Sequence, residues 1–321
     1  MRNNIIDTIK QKAKNAHRHI VLPEGNDPRV FEAAKELRAQ NLVSLTVLAD
    51  ESFREQYESI GVSFKNPQTD ELREEFTDVL YALRKHKNLS REQAASLVSD
   101  PLYFGTLLVH TDRADGLVAG SLSTTADTLR PALQIIKTVD GVPKASSFFL
   151  MIHEGEVIFF ADCAFIPHPN AQELASIALL TAKNASSFLD DVRVALLSFS
   201  TKGSAQDPSL EVIRQALALI KEQNPSLCVD GELQLDAAIV PEVASKKCPD
   251  SPVQGKANVL VFPDLASGNI GYKIAQRFAH DKPIGPIIQG LKKPINDLSR
   301  GCTVEDIVLT VCFTALEGDL L

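Results

Sequence analysis

The chain has 321 residues, of which 44% are hydrophobic and 23% charged, and its formal net charge is −8. This composition is ordinary for a globular protein, and a length of roughly 150 residues per domain predicts two domains. The acidic balance disfavours a general nucleic-acid-binding protein, which would need a basic face. No run reaches the roughly 18 apolar residues of a membrane span.

The first residues also lack the apolar run of a secretory signal, so we expect a cytoplasmic protein. The five cysteines form no CxxC pair, and the seven histidines show no HExxH pairing. These patterns predict neither a disulfide framework nor a metal site, and we expect no resident cofactor.

The first half of the chain alternates predicted helices and strands, which indicates a parallel sheet with helices on its faces. In chain order, helices are predicted at 2–17, 28–40, 70–87, 91–98 and 100–110, and strands at 19–22, 44–49 and 114–119.

A predicted antiparallel hairpin, 145–153 with 156–163, interrupts this rhythm, so we place a domain boundary just before it. Afterwards the rhythm resumes. Strands are predicted at 192–199, 257–262 and 284–290, and helices at 170–189, 205–223, 268–280 and 303–317. The whole pattern predicts an α/β protein with two sheets and a cleft between them.

Two loops that join a strand to a helix are candidate ligand sites, because ligands bind at the carboxyl ends of strands in open α/β sheets. In Gly120–Arg130, hydroxyls and backbone N–H groups are candidates for holding an anion at a helix start. The alternative is a helix cap in which Asp127 complements the helix dipole. Pro263–Tyr272 is either a second ligand loop or a connecting turn.

The segment Lys293–Asp306 places a hydroxyl, a guanidinium and a thiol at the start of the last helix. Asp306 follows Thr303 at capping-box spacing, so a plain helix-start acid is the alternative. The cluster Arg84–Lys87 is either a local positive patch or a solvated face.

Several runs resemble the phosphate acetyltransferase (phosphotransacetylase) family. The matching runs are Lys293–Gly301, Asp230–Ala238, Phe262–Lys273, Leu197–Gly203 and Ala126–Gln134. The resemblance covers essentially the whole chain, in the family's order.

The resemblance implies two α/β domains, 1–140 with 288–321 and 141–287, with mostly parallel sheets. It implies a fold akin to isocitrate and isopropylmalate dehydrogenases, an active site in the interdomain cleft and a homodimer. The implied reaction is reversible acetyl transfer between coenzyme A, as a substrate, and inorganic phosphate.

By motif, the implied catalytic residues are Ser299, Arg300 and Asp306. The resemblance further places Ser123, Thr124, Tyr272 and Arg300 at phosphate or acetyl phosphate, and Arg84 and Arg130 at coenzyme A. No departure from the family pattern occurs at the catalytic positions.

The pKa values of the reacting groups limit how the thiol can lose its proton. A free thiol has a pKa of about 8.5 and an aspartic acid about 3.9, so proton transfer between them costs roughly 6 kcal/mol. Our hypothesis is that Asp306 takes the thiol proton as attack proceeds, while Ser299 and Arg300 stabilise developing negative charge. Cys302 is interpreted as a bystander.

Three other functions stay open. The first is transfer of a longer acyl group by the same chemistry, as in phosphate butyryltransferase. The width of the substrate pocket would decide between this activity and acetyl transfer. A dehydrogenase on the related fold would need metal-binding aspartates and a nicotinamide site, which the sequence does not show. A non-catalytic sensor of coenzyme A or acyl phosphate would bind without turnover.

Overall fold

The computed structural model describes residues 5–317 of the chain. Within them the chain forms two compact units, one built from residues up to Val139 and from Leu291 onward, the other from Asp140–Gly290. No helix in this described part is long and apolar enough to cross a membrane.

Helices and strands alternate along most of the chain. The helices are α1 (Ile5–Ala16), α2 (Pro28–Ala39), α3 (Arg54–Ser59), α4 (Arg73–Arg84), α5 (Arg91–Val98), α6 (Pro101–His110), α7 (Thr125–Pro131), α8 (Ala171–Ala185), α9 (Ser209–Gln223), α10 (Leu235–Ile239), α11 (Pro241–Lys247), α12 (Leu265–Phe278) and α13 (Val304–Glu317). The strands are β1 (His19–Leu22), β2 (Ser44–Leu48), β3 (Ser63–Lys65), β4 (Gly116–Ala119), β5 (Ser146–His153), β6 (Glu156–Ala161), β7 (Arg193–Leu197), β8 (Cys228–Leu233), β9 (Val259–Val261), β10 (Lys282–Gln289) and β11 (Ile295–Asp297).

The first unit is built on a parallel sheet in the order β11-β4-β1-β2-β3. The order reverses between β1 and β4, so the loops after these two strands meet at a topological switch point. The central strands are short, nearly continuous apolar runs because helices cover both faces of such a sheet.

The last helix closes the first unit. From Ile307 to Leu316 every residue of α13 is buried, and the helix packs against α1, α2 and β4. A helix that is apolar on all sides is stable only when it is surrounded in this way. The start of α13 therefore has a fixed position beside the sheet.

The second unit contains a mixed sheet in the order β10-β5-β6-β9-β7-β8. Strands β5 and β6 form the predicted antiparallel hairpin, β10 pairs antiparallel with β5, and the remaining pairs are parallel. The two sheets confirm the predicted α/β class.

Helix starts follow the expected capping chemistry. Asp27 caps α2 with a proline at the first helical position, and Ser90 and Asn170 each form a capping box.

The predicted segments differ from the structure mainly where elements are short. The sequence analysis does not predict strands β3, β8 and β11 or helices α3, α10 and α11, and the predicted loop after Lys293 contains β11. Helix α12 begins three residues before its predicted start, because Asp264 caps it through the backbone N–H of Ser267 at 2.7 Å.

Candidate active site

Two loops that carry predicted site residues leave the first sheet side by side. Strand β11 pairs in parallel with β4, which sets Asp297 opposite Ala119. The backbone N–H of Leu298 then donates to the carbonyl of Ala119 at 2.7 Å. The first loop, Gly120–Thr124, and the second loop, 298–303, therefore start together at the carboxyl edge of the sheet, where open α/β sheets bind ligands.

The second loop presents its polar side chains to solvent. Ser299 and Arg300 are both exposed, and the hydroxyl of Ser299 accepts a 3.3 Å hydrogen bond from the backbone N–H of Gly301. The guanidinium of Arg300 has no protein partner among residues 5–317. Its five donors are therefore available for an anionic ligand.

Asp306 lies in the first turn of α13 and forms a capping box with Thr303. Its Oδ2 accepts from both the backbone N–H and the hydroxyl of Thr303 at 2.8 Å, and the Thr303 hydroxyl accepts from the Asp306 backbone at 3.2 Å. Both bonds to the carboxylate use the same oxygen. Oδ1 has no hydrogen-bond partner in the described part of the chain, so the cap leaves one oxygen for other chemistry.

The first loop already holds an anion from the protein itself. The buried carboxylate of Glu24, in the loop after β1, accepts hydrogen bonds from four successive backbone N–H groups at 2.7–3.2 Å, those of Gly120, Ser121, Leu122 and Ser123. These N–H groups are consequently not free for a substrate anion. The hydrogen bonds of this backbone therefore agree with the second of the two interpretations of the loop, a helix cap.

Thr124 is that cap. Its hydroxyl accepts from the backbone N–H of Asp127 at 3.2 Å and donates to the Asp127 carboxylate at 2.7 Å. The Thr124 bond lowers the pKa of Asp127. Ser123 lies beside the cap, and its hydroxyl has no partner within residues 5–317.

Arg29 joins the two loops and was not singled out from the sequence. Its guanidinium donates to the carbonyl oxygens of Ser121, Arg300 and Cys302 at 2.8–2.9 Å, and it forms a 2.7 Å ion pair with buried Asp27. A planar guanidinium can make these bonds at once because its donors point in fixed directions. The only signal for it in the sequence is the Asp-Pro-Arg run Asp27–Arg29, which follows the turn after the first predicted strand.

Arg84 and Arg130 lie near the same tyrosine. Tyr103, in α6, donates from its hydroxyl to the side-chain oxygen of Gln134 at 3.0 Å. Burial raises the pKa of Tyr103, while the positive charges of Arg130 and Arg84 act in the opposite direction. Arg130 also pairs with Asp127 at 3.0 Å on the solvent-exposed side of α7. The charges of the two arginines that are predicted to bind coenzyme A thus both act on Tyr103.

A cavity of about 200 Å³ lies beside Ser123 in the first unit. Its wall includes Glu24, Asp50 and Asp100, together with amide and apolar side chains, and no Lys, Arg or His lines it. A phosphate group would meet carboxylates without a compensating cation there, so the anionic part of a substrate is not expected in this cavity.

Tyr272 belongs to the second unit. Its ring stacks on Phe149 with the centroids 4.2 Å apart, and Lys273 lies 5.5 Å from its centroid. Burial, with a smaller contribution from neighbouring Cys163, raises the pKa of Tyr272, so its hydroxyl remains a hydrogen-bond donor at neutral pH.

The five cysteines are all free thiols. Burial raises the pKa of Cys302 to about 11, although nearby Arg29 lowers it in part. Cys302 is therefore protonated at neutral pH and a poor nucleophile. Among residues 5–317, no group of three or more His, Cys, Asp or Glu side chains is arranged to hold a metal ion.

Comparison with known proteins identifies the family. The family model described as phosphate acetyl/butaryl transferase matches residues 4–315. Phosphate acetyltransferase of Corynebacterium glutamicum is 48% identical over 316 residues, which span 97% of this chain and 96% of that relative. The crystal structure of a phosphotransacetylase from Streptococcus pyogenes superposes with a TM-score of 0.94 at 44% identity and covers 99% of both chains.

A more distant likeness concerns the fold alone. A Salmonella typhimurium chain assigned as a 4-hydroxythreonine-4-phosphate dehydrogenase superposes with a TM-score of 0.52 at 11% identity, over 93% of this chain and 99% of that one. This supports the predicted fold of dehydrogenase type. With the family model covering nearly its whole length, the chain belongs to the phosphate acetyl/butaryl transferase family.

Proposed function

We propose that the chain is a phosphate acetyltransferase, which converts acetyl-CoA and phosphate into acetyl phosphate and coenzyme A in either direction. One observation carries the proposal. The unpartnered guanidinium of Arg300 lies in the same loop as the exposed hydroxyl of Ser299, and one carboxylate oxygen of Asp306 is left unused at the adjoining helix start. An anion site, a hydrogen-bonding group and a base are what this acyl transfer needs.

Arg300 is proposed to bind the phosphoryl group of acetyl phosphate. Its planar fork can pair with two phosphate oxygens at once. Because the guanidinium has no competing partner in the described residues, binding phosphate does not require breaking an existing ion pair. The same charge would stabilise the negative charge that develops on the carbonyl oxygen during attack.

Asp306 is proposed to accept the thiol proton through its free Oδ1. As the sulfur of coenzyme A gives up this proton, it attacks the carbonyl carbon of acetyl phosphate, a C–S bond forms, and the C–O bond breaks to release phosphate. Proton transfer from an ordinary thiol to an ordinary aspartate costs roughly 6 kcal/mol, so it must accompany attack rather than precede it. Ser299 would donate to the sulfur or the carbonyl oxygen as charge develops.

The high pKa of Cys302 supports direct transfer in a ternary complex over a route through an acyl-cysteine. A protonated, buried thiol would have to be activated before it could attack.

Coenzyme A is proposed to place its phosphates at Arg84 and Arg130, the two cations near Tyr103. Ser123, Thr124 and Tyr272 are proposed as contacts of acetyl phosphate. The free hydroxyl of Ser123 supports its role, whereas the Thr124 hydroxyl is shared with Asp127. The reaction as proposed needs no metal ion and no resident cofactor.

We also propose a cytoplasmic homodimer. On α12, the side chains of Ile270, Ile274 and Phe278 are 58%, 53% and 83% exposed. Their spacing of four residues places them along one helix face, and exposed apolar stripes of this kind mark interfaces.

The deciding experiment is formation of the thioester from acetyl phosphate and coenzyme A with EDTA present, beside propionyl and butyryl phosphates. Fastest turnover with acetyl phosphate is the expected result. Turnover with butyryl phosphate alone would assign the sister activity, and binding without any thioester would indicate a sensor.

A further inference from the structure

A buried carboxyl that the mechanism does not use lies directly under the candidate site. Asp297 ends β11, immediately before Leu298, Ser299 and Arg300, and its side chain is only 2% exposed. Its Oδ2 accepts a 2.6 Å hydrogen bond from the hydroxyl of Thr125, the first residue of α7. This bond joins two segments that are 172 residues apart in the sequence.

The surroundings of Asp297 are tightly packed. A Cβ atom at Gly120 would lie 2.4 Å from Asp297 Oδ1 and 2.5 Å from the carbonyl oxygen of Leu298, so only glycine fits there. Gly120 also has a φ of +109°, which favours glycine. On its other side, Gly120 donates its N–H to Glu24 at 2.8 Å. The backbone of the first loop therefore runs between two buried carboxyl groups.

The second oxygen of Asp297 is not satisfied. Oδ1 is buried and makes no hydrogen bond of good geometry to any of the described residues. The buried hydroxyl of Thr128 also faces Asp297 from α7, and it is close enough to lower the pKa of that carboxyl although it makes no hydrogen bond of good geometry. Burying an unpaired carboxyl oxygen destabilises a fold, and an apolar residue at the end of β11 would avoid the loss. Burial raises the pKa of Asp297 to about 6, an additional sign that the position is unfavourable for a carboxylate.

We propose that Asp297 is a positioning residue for the transfer reaction, which through its hydrogen bond with Thr125 fixes the Ser299–Arg300 segment against the start of α7. The proposal rests on the proposed function. Thr124, next to Thr125 in sequence, caps the helix, so this bond contributes, beside those of Arg29, to the spacing between the two loops that are expected to enclose acetyl phosphate. A shift of about 1 Å between reacting groups lowers turnover by as much as ~100-fold.

Helix α7 supplies a matched pair of variants. Thr125→Val removes the hydroxyl that makes the 2.6 Å hydrogen bond to Asp297. Thr128→Val removes a hydroxyl that faces the same carboxyl without a hydrogen bond of good geometry, and both replacements keep the shape of the side chain. The expected result is a kcat lowered about tenfold or more by Thr125→Val and by Asp297→Ala, with the KM for coenzyme A within threefold of wild type. Thr128→Val should keep kcat within twofold.

Two further variants separate positioning from packing. Asp297→Asn keeps an acceptor for Thr125 and should recover most of the turnover that Asp297→Ala loses. Adding Thr125→Val to Asp297→Ala should cause no further loss, because both remove the same bond. If Asp297→Ala fails to fold, the Thr125→Val and Thr128→Val pair decides alone.

Equal turnover in wild type, Thr125→Val and Asp297→Ala would overturn the proposal, as would equal losses from Thr125→Val and Thr128→Val. Absence of thioester formation by the wild-type enzyme would instead overturn the proposed function, so the two failures are distinguishable.

Discussion

The guanidinium of Arg29 donates to the backbone carbonyl of Arg300 at 2.9 Å, across 271 residues of sequence. The same guanidinium binds the first loop at Ser121 and is held by buried Asp27. One arginine at the start of α2 thus connects the loop that carries the proposed phosphate-binding residue to the loop that caps α7. Arg29 contacts the backbone, so it acts on the site through the position of Arg300.

Replacing Arg29 should damage stability and turnover together. Arg29→Ala leaves the 3% exposed carboxylate of Asp27 without its ion-pair partner, and it removes donors from three carbonyls. The expected loss is roughly 2–3 kcal/mol of unfolding free energy, the scale for a charged hydrogen-bonded group, and it can be measured by urea denaturation. Arg38→Ala, at the other end of α2, is the control and should cost under about 0.5 kcal/mol. Equal effects of the two changes would contradict the role assigned to Arg29.

Replacing Arg300 should affect turnover with little effect on stability, because its exposed guanidinium has no partner in the described protein. Arg300→Ala is expected to lower kcat by at least ~100-fold, the usual loss when one oxyanion donor is removed. Steady-state kinetics beside a thermal melt would show this, again with Arg38→Ala as the matched arginine deletion. A decrease below tenfold in a folded variant would exclude Arg300 from transition-state stabilisation.

Cys302→Ala tests the route of the acyl group. Because burial raises the pKa of Cys302 to about 11, the thiol is protonated near neutral pH, and the variant should turn over at the wild-type rate. The measurement is kcat, together with mass spectrometry of enzyme quenched during turnover. Loss of activity with an acetylated cysteine in the wild type would replace direct transfer by a two-step mechanism.

The sequence could predict those parts of the structure that depend on neighbouring residues. The capping box of Thr303 and Asp306 spans three positions, and the hairpin of β5 and β6 surrounds a Glu-Gly turn, so both were predicted correctly. Strand β11 has only three residues and shows no usable periodicity.

The internal partners of the loops could not be predicted for a different reason. Glu24 and Ser123 are 99 positions apart, and nothing in the sequence near either residue indicates that a carboxylate from the loop after β1 binds the backbone N–H groups that were candidates for the substrate anion. A Ser/Thr-rich loop before a helix has the same sequence pattern whether its anion comes from a ligand or from the protein.

A second internal carboxylate gives a prediction for pH dependence. Glu232, 2% exposed in the second unit, is disfavoured as a charge by burial, but bonds from Arg214, the Gly203 N–H and Ser200 outweigh this and lower its pKa to about 2. Since the folded-state pKa lies below the ordinary value of 4.5, the stabilisation is complete above about pH 4.5 and is lost as pH falls toward 2. A shift of this size corresponds to about 3 kcal/mol.

Urea denaturation at pH 7 and pH 3 would measure this contribution. Glu232→Gln should destabilise the protein at pH 7 and reduce the dependence on pH in this range, whereas Glu211→Gln, on the exposed side of α9, should do neither. Parallel pH profiles for wild type and Glu232→Gln would show that the ion pair with Arg214 contributes nothing to acid sensitivity.

The proposed homodimer gives the last prediction, because the apolar stripe on α12 contains none of the proposed site residues. Ile274 lies between Ile270 and Phe278 on this face and is 53% exposed. A glutamate there would have to lose its hydration in a packed interface, so Ile274→Glu should convert a dimer to a monomer in light scattering coupled to size exclusion. Gln276→Glu adds the same charge elsewhere on α12 and should leave the mass at twice that of one chain. A wild-type mass equal to one chain, or a dimer that survives Ile274→Glu, would show that α12 is not the interface.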